Sequence, residues 1–151
     1  MKGDKKTGTR GEVLGLRRVL IFNKEMAEQI KHFTDLKVWR KAHELFLGVL
    51  KDVEKFPRIR GAGVVADQII RSVGSIGANI AEGFNSRTRK QYINFLDIAR
   101  RSGAESENWY YKIRDAGFLD NETANIRIAT CIEISKMLQS LMKSLSTIEE
   151  E

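Results

Sequence analysis

The sequence contains almost none of the two residues that most often constrain a fold locally, cysteine and proline. Cys131 is the single cysteine among 151 residues, which excludes a disulfide within the chain and any zinc site built on cysteines. Pro57 is the single proline, and long stretches lack turn-forming residues, which favours an all-α fold. No uninterrupted apolar run is long enough to span a membrane. Arg17 and Arg18 interrupt the apolar residues of the basic N-terminus, so we expect no signal peptide and a cytoplasmic location.

Acidic residues are fewer than basic residues, and the difference is uneven along the chain. The sequence holds 26 Lys and Arg against 20 Asp and Glu, a net charge of +6. Residues 1–31 contain eight basic and four acidic residues and carry most of this surplus. We interpret residues 1–31 as a basic, flexible N-terminal extension and residues 32–151 as one compact domain. The positive charge is compatible with a nucleic-acid partner and also with an ordinary soluble protein.

Hydrophobic periodicity predicts four helices, at about residues 35–55, 64–82, 86–116 and 121–146. The expected N-terminal caps are Thr34 or Asp35, Asn85 or Ser86, and Asp120 or Asn121. Pro57, Gly83 and Gly117 are expected to end the first three helices. Helices joined by short connections pack antiparallel to their chain neighbours, so the sequence predicts an up-down-up-down four-helix bundle.

The first and second predicted helices differ in their patterns. The first is expected to place along one apolar face Leu36, Trp39, Ala42 or His43, Phe46, Val49, Leu50 and Val53. The second separates into three lines: an apolar line of Ile69, Val73, Ile76 and Ile80, a small-residue line of Gly74, Gly77, Ala78 and Ala81, and a lightly charged polar line of Gln68, Arg71, Ser72, Ser75, Asn79 and Glu82. A surface helix normally keeps one face rich in Lys and Glu. This helix has none, so we expect the rest of the chain and other copies in a homo-oligomer to cover it.

No grouping of side chains in the sequence supports an enzyme. His32 and His43 are the only histidines; they lack metal-ligand spacing, and His43 is expected to be partly buried on the first helix. Glu82 and Glu105 have no nucleophile placed beside them, so a capping or salt-bridge role is expected. We therefore predict a protein without enzymatic activity, cofactor or metal.

Two glycine motifs are better explained by helical structure than by ligand binding. Residues 61–66, GAGVVA, match the dinucleotide-binding pattern, but they follow a helix and a proline and no strand is predicted nearby. Residues 74–77, GSIG, match the form of an RNA-binding clamp. They lie inside a helical period, so close packing is the better interpretation.

Basic residues form three groups along the predicted helices. The groups are Arg87 with Arg89 and Lys90, Arg58 with Arg60, and Arg100 with Arg101. The first group is expected in the first turn of the third helix, where exposed amides and three cations could bind a phosphate. The second is expected in the loop at the opposite end of the bundle, and the third midway along the third helix. A solvated surface would explain the same residues, and both interpretations stay open.

Several segments of the chain resemble one protein family. They are FTDLKVWRKA at 33–42, FP at 56–57, DQIIRSVGSIGANIAEG at 67–83, FLDIARRSGAE at 95–105 and GFL at 117–119. These segments resemble the four-helix-bundle proteins encoded in intervening sequences of bacterial 23S ribosomal RNA genes. They are also similar to the accessory variability proteins of diversity-generating retroelements. The resemblance covers about residues 33–145.

The resemblance implies a non-enzymatic bundle that assembles into a homopentameric ring with basic surfaces. In the retroelement branch such a ring binds a reverse transcriptase and nucleic acid. The motif positions carried over are Trp39, Gln68, Arg71, Ser75, Asn79, Glu82, Gly83 and Glu105. The chain departs from the family pattern by having Ile70 where a second Arg is frequent, which weakens a carried-over anion site. It also has Arg58 and Arg60 where a Glu is frequent, which adds positive charge.

Two functional hypotheses follow. The first is an oligomeric nucleic-acid-binding accessory factor, with RNA as the ligand. The alternative is a homo-oligomeric scaffold whose partner is a protein such as a reverse transcriptase.

Overall fold

The computed structural model describes residues 30–148, which form one short 3-10 turn and four α-helices. The turn is Phe33–Asp35, and the helices are α1 (Lys37–Val53), α2 (Arg60–Phe84), α3 (Arg89–Asp115) and α4 (Asn121–Ser146). These residues contain no strand. The predicted all-α four-helix fold is confirmed. None of these four helices is long and apolar enough to cross a membrane.

Packing between the helices follows their order along the chain. The most extensive contacts are those of α2 with α3 and of α3 with α4, whereas α1 lies mainly on α2 and touches α4 less. Residues 1–29 of the predicted extension and residues 149–151 lie outside the described part of the chain. Ile30 is the first described residue, and it is buried in the core.

The start of α1 differs from the prediction because a 3-10 turn precedes the helix. The N-cap residue is Leu36, which offers no side-chain hydrogen bond, so neither Thr34 nor Asp35 caps α1. The carboxylate of Asp35 instead accepts hydrogen bonds from the backbone amides of Lys31 and His32, both at 3.0 Å. These bonds hold the pKa of Asp35 below its ordinary value. Asp35 therefore stabilises the turn that leads into α1.

The two ends of α2 also lie outside the predicted bounds. The helix begins at Arg60, four residues before the predicted start, and it includes Gly61 and Gly63. Each glycine disfavours a helix by about 1 kcal/mol relative to Ala. Ala62 between them is fully buried, which offsets part of this loss. At the other end, Gly83 lies inside the helix, and Asn85 is the C-cap residue.

Gly83 is required for packing and does not cap α2 as predicted. A Cβ atom at this position would lie 2.8 Å from Cβ of Phe95 and 3.0 Å from Cδ2 of Tyr92. Real Cβ atoms do not approach other atoms so closely, so only glycine lets α3 pass here without a shift. A glycine is required near the end of α2, but the reason is the close approach of α3 and not the capping of the helix.

The ends of α3 and the start of α4 are fixed by local signals. Thr88 caps α3, accepting a hydrogen bond from the amide of Gln91 at 3.1 Å, so the predicted caps Asn85 and Ser86 are wrong. Gly117 follows α3 with a φ of 74°, the left-handed conformation that glycine adopts readily. Asp120 caps α4 as predicted, accepting from the amide of Thr123 at 2.8 Å.

The buried face of α1 agrees in part with the predicted one, because Leu36, Ala42 and Val49 are buried as predicted. Its buried residues are Val38, Ala42, Leu45, Val49 and Asp52, at alternating steps of four and three. Trp39 and Phe46 are only half-buried, and Leu50 is 39% exposed. The helix thus turns a carboxylate into the core and leaves two aromatic rings at its edge.

Candidate nucleic-acid interface

The first basic group lies where α3 begins. Arg89 and Lys90 are the first two residues of the helix, while Arg87 precedes the cap residue and is not in the first turn as predicted. Arg87 and Lys90 are exposed. Arg89 is half-buried, and its guanidinium donates a hydrogen bond to the carbonyl of Ile148 after α4. The first turn of α3 contains no acidic residue, so the cations and the positive end of the helix dipole reinforce one positive potential.

A cavity of about 350 Å³ opens beside this helix start. It is lined by Thr88, Arg89, Lys90, Ile93, Asn94 and Ser146. The lining combines two cations, hydrogen-bonding side chains and one aliphatic side chain. Such a surface can hold an anionic group by charge and an attached apolar group by contact.

The second basic group lies at the opposite end of the bundle. Arg58 is exposed in the connection between α1 and α2, and Arg60 is the first residue of α2 rather than a loop residue as predicted. The 25 residues of α2 separate this group from the first by about 37 Å. Within residues 30–148 no carboxylate lies within ion-pair distance of Arg58, Arg60, Arg87 or Lys90. The two groups are therefore separate positive surfaces.

The third basic group is partly neutralised within α3. Asp97 pairs with both arginines, at 2.8 Å to Nη2 of Arg100 and 3.3 Å to Nε of Arg101. The three side chains together carry a net charge of +1 on the helix surface. The structure does not bring them near either end of the bundle, so they are the weakest of the predicted phosphate contacts.

Most of the polar line of α2 faces α3 of the same chain. Arg71 forms an ion pair with Glu105, the salt-bridge role expected for Glu105, and the same guanidinium nitrogen donates to Oε1 of Gln68 at 3.1 Å. The Arg71 and Glu105 side chains are 57% and 38% exposed, so this pair contributes at most about 1 kcal/mol to stability.

Serine hydroxyls continue this line into the bundle. Ser72 and Ser106 are hydrogen-bonded at 2.9 Å, and Ser75 and Ser102 at 3.0 Å. Asn79 donates to the carbonyl of Ser75 at 2.8 Å. Gln68, Arg71, Ser75, Asn79 and Glu105 thus form one polar seam between α2 and α3. Their hydrogen bonds are made within the chain, so the seam itself does not require a second subunit.

Trp39 lies on the other side of α2, in a groove between α1 and α2. We call this the α1–α2 groove; it has a volume of about 320 Å³ and is lined by Phe33, Trp39, Ala42, His43, Phe46, Val73, Gly74, Gly77, Ala78 and Ala81. Trp39 stacks on His43 with ring centroids 4.8 Å apart and planes at 12°. His43 is exposed, so its predicted partial burial is wrong. The aromatic side chains of α1 that line the groove are themselves only half-buried. They therefore cover only part of the small-residue line of α2.

The comparisons with known proteins agree with this architecture. A family model described as 23S rRNA-intervening sequence protein matches residues 34–140. The chain belongs to this family. A solved structure of a protein of unknown function from the S23 ribosomal protein family of Bacteroides thetaiotaomicron is similar, with 29% sequence identity and a TM-score of 0.66. The match covers 70% of this chain and 98% of that one. No curated protein matches the chain.

The remaining motif positions of this 23S rRNA-intervening sequence protein have separate roles. Gly83 leaves room for the close approach of α3, Trp39 lines the α1–α2 groove, and Glu82 is exposed on α2. The likeness to retroelement accessory proteins and the homo-oligomer stay predictions. In the described part of the chain, no three His, Cys, Asp or Glu side chains lie close enough to hold a metal ion.

One buried polar cluster in the structure was not predicted from the sequence. The Asp52 carboxylate, 2% exposed, accepts hydrogen bonds from Oη of Tyr110 at 2.8 Å and from Nε of Arg127 at 2.8 Å. A second bond from Nη2 of Arg127 to Oδ1 measures 3.1 Å. The Arg127 guanidinium lies over Gly48, where a Cβ would be 2.7 Å from its central carbon. The cluster ties α1 to α3 and α4.

Both donors in this cluster show the effect of the buried carboxylate. Burial, with Asp52 close by, raises the pKa of Tyr110 far above its ordinary range. The hydrogen bond to Asp52 raises the pKa of Arg127. The tyrosine is therefore a neutral donor and the arginine a permanent cation at neutral pH. One sequence signal could have revealed the cluster, because Asp52 continues the heptad spacing of Val38 to Val49.

Proposed function

We propose that this protein is a non-enzymatic, homo-oligomeric accessory factor that binds nucleic acid, with RNA as its ligand. The observation that carries the proposal is the positive surface where α3 begins. Arg87 and Lys90 are exposed there, no carboxylate of residues 30–148 pairs with them, and they lie at the positive end of the dipole of a 27-residue helix. Phosphate oxygens are the ligands that such a surface favours.

Two further points support the proposal. The family is named for intervening sequences of 23S rRNA, which is the reason for placing RNA before DNA. The family resemblance also suggests a homopentamer, and closed symmetry would repeat the basic surface on every subunit. A weak phosphate site per subunit would then gain avidity on one RNA strand.

The test compares two variants of the full chain that each lose two positive charges. Arg87→Ala with Lys90→Ala removes the helix-start cations, and Arg89 is kept because it binds the Ile148 carbonyl. Lys51→Ala with Lys136→Ala is the matched control, since both lysines are exposed and lie on α1 and α4. Affinity for a single-stranded RNA is measured over a range of salt concentrations.

The expected result is a loss of affinity and of salt dependence in the first variant alone. Each phosphate contact removed lowers the log–log salt slope by about 0.7, so the double variant should lose about 1.4. Light scattering should give an unchanged mass, a multiple of 17.2 kDa. Equal losses in both variants would mean nonspecific attraction. Absence of RNA and DNA binding by the parent protein at low salt would refute the proposal.

The alternative is a scaffold that binds a protein, such as the reverse transcriptase of a diversity-generating retroelement. An apolar surface at the second basic group favours it. Ile59 and Val64 are 56% and 54% exposed there, and a cavity of about 250 Å³ lined by Pro57 and Arg58 lies beside them. A scaffold of this kind would bind its partner through that end of the bundle. The variant at Arg87 and Lys90 should then leave partner binding intact.

A further inference from the structure

The α1–α2 groove is an apolar surface that the described residues leave partly open. On the α1 side the rings of Trp39 and Phe46 are half-buried. On the α2 side the groove is lined by Gly74, Gly77, Ala78, Ala81 and the buried Val73. A Cβ atom at Gly77 would be 3.6 Å from Nε1 of Trp39, so the indole packs over Gly77. Ala78 is exposed, so part of the groove stays open.

The first described residues of the chain lie in the core and at this groove. Ile30 is 2% exposed and packs in the core, and Phe33, three residues later, lines the groove. Upstream of Ile30 the sequence holds one markedly apolar stretch, residues 13–22, VLGLRRVLIF. This stretch lies outside the family match, which begins at residue 34.

The distances allow this stretch to reach the groove. Ten residues separate Phe22 from Phe33, and an extended chain of that length spans up to about 33 Å. The groove runs along α1 from Trp39 to Phe46, which is about 11 Å of helix. The apolar stretch can therefore reach any part of the groove without moving the bundle.

We propose that residues 13–22 of the same chain dock in the α1–α2 groove and cover Trp39. The stretch supplies leucine, isoleucine and phenylalanine side chains for the small-residue floor of α2. Exposed Glu82, one helical turn after Ala78, offers a carboxylate to Arg17 or Arg18. A short tether gives the docked segment a millimolar effective concentration, so a modest intrinsic affinity is sufficient.

The first test uses the fluorescence of Trp39 in the full chain. Trp109→Phe serves as the background and removes the second tryptophan signal; Nε1 of Trp109 has no hydrogen-bond partner among the described residues, so no hydrogen bond is lost. The Trp109 ring packs on the core and lies 5.9 Å from Nζ of Lys112, so all proteins are compared within this one background. In this background, Leu16→Ser with Leu20→Ser should raise the acrylamide quenching constant of Trp39 at least twofold. Lys5→Ser with Lys6→Ser, in the same extension but outside residues 13–22, is the matched control and should change nothing. Equal quenching in all three proteins would overturn the proposal.

The second test identifies which chain supplies the segment. Cysteines introduced by Leu20→Cys and Ala78→Cys should form a disulfide within one chain, seen as a monomer band on a non-reducing gel. Cys131 is buried and stays in place. Lys5→Cys with Ala78→Cys is the control and should cross-link poorly. A dimer band would mean that a neighbouring copy supplies the segment. If the protection of Trp39 from quenching increases with protein concentration and is unchanged by Leu16→Ser with Leu20→Ser, a second copy fills the groove. Either result refutes docking within one chain.

Discussion

Replacing Arg127 by methionine should destabilise the bundle more than any surface substitution. The change keeps most of the aliphatic stem but removes two of the three hydrogen bonds to Asp52. The carboxylate would stay buried with only the Tyr110 hydroxyl as a donor. A buried charge without its counter-charge is the main source of the loss, because water cannot replace the guanidinium at a side chain that is 2% exposed.

The size of the effect follows from the exposure of the two partners. Breaking a buried ion pair by removing one partner costs about 3–5 kcal/mol. Arg127 is 24% exposed, so water reaches part of the pair and we expect about 3 kcal/mol, the lower end of that range. For a chain of this length the melting temperature should fall by roughly 10 °C. Tyr110→Phe leaves both arginine bonds in place and should cost about 1.5 kcal/mol.

Urea unfolding monitored by circular dichroism measures these differences. The surface control is Arg101→Met, whose side chain is 67% exposed and pairs only with Asp97 of the same helix, and whose effect should stay below about 0.5 kcal/mol. Combining Asp52→Asn with Arg127→Met should cost about 2 kcal/mol less than the two single losses together, because no uncompensated charge remains. If Arg127→Met behaves like the control, or if the double variant is additive, the carboxylate is not held as described.

Two further predictions concern packing and pH. Gly83→Ala should destabilise the fold by about 1–3 kcal/mol because α3 must move away from the new methyl group, whereas Gly63→Ala, with no atom within 4 Å of its Cβ position, should stabilise it by up to about 1 kcal/mol; thermal melts of both decide. Burial raises the pKa of the Cys131 thiol from about 9 to about 12. Its stabilising effect is therefore complete below pH 9 and is lost as the pH rises toward 12, so denaturant titrations from pH 8 to pH 11 should show a decline that Cys131→Ala reduces.

The four helices could be predicted because each keeps an apolar period over several turns. Of their starting residues, only the Asp120 cap of α4 was predicted, since the N-cap residues of α1 and α2 are Leu36 and Ile59, which offer no side-chain hydrogen bond. Thr88 caps α3 although Asn85 and Ser86 are equally able to do so in isolation. The requirement for glycine at position 83 comes from the close approach of α3, which depends on tertiary packing.

The buried face of α1 shows why sequence reasoning failed at the polar cluster. Hydrophobic periodicity identifies Ala42 and Val49 on this face but gives no reason to include a carboxylate such as Asp52. Asp52 is buried there because Arg127, 75 residues away along the chain, neutralises its carboxylate. The placement of two basic groups of the candidate interface could be predicted, since the up-down topology alone places Arg58 and Arg87 at opposite ends of the bundle. The pairing of Asp97 with the arginines three and four residues later could also have been predicted from spacing.

The four helices are packed unevenly, and α1 is the helix that two copies of the chain could exchange most readily. Helices α2, α3 and α4 follow one another in the chain and contact one another most, so they form a sequence-local unit that can fold without long loop closure. Helix α1 is attached through the Asp52 cluster near its C-terminal end and through the side chain of Trp39 near its N-terminal end. If α1 detaches, the contacts it makes within its own chain can be made equally well on a second copy. Domain swapping through the connection at residues 54–59 would then join subunits without a new interface.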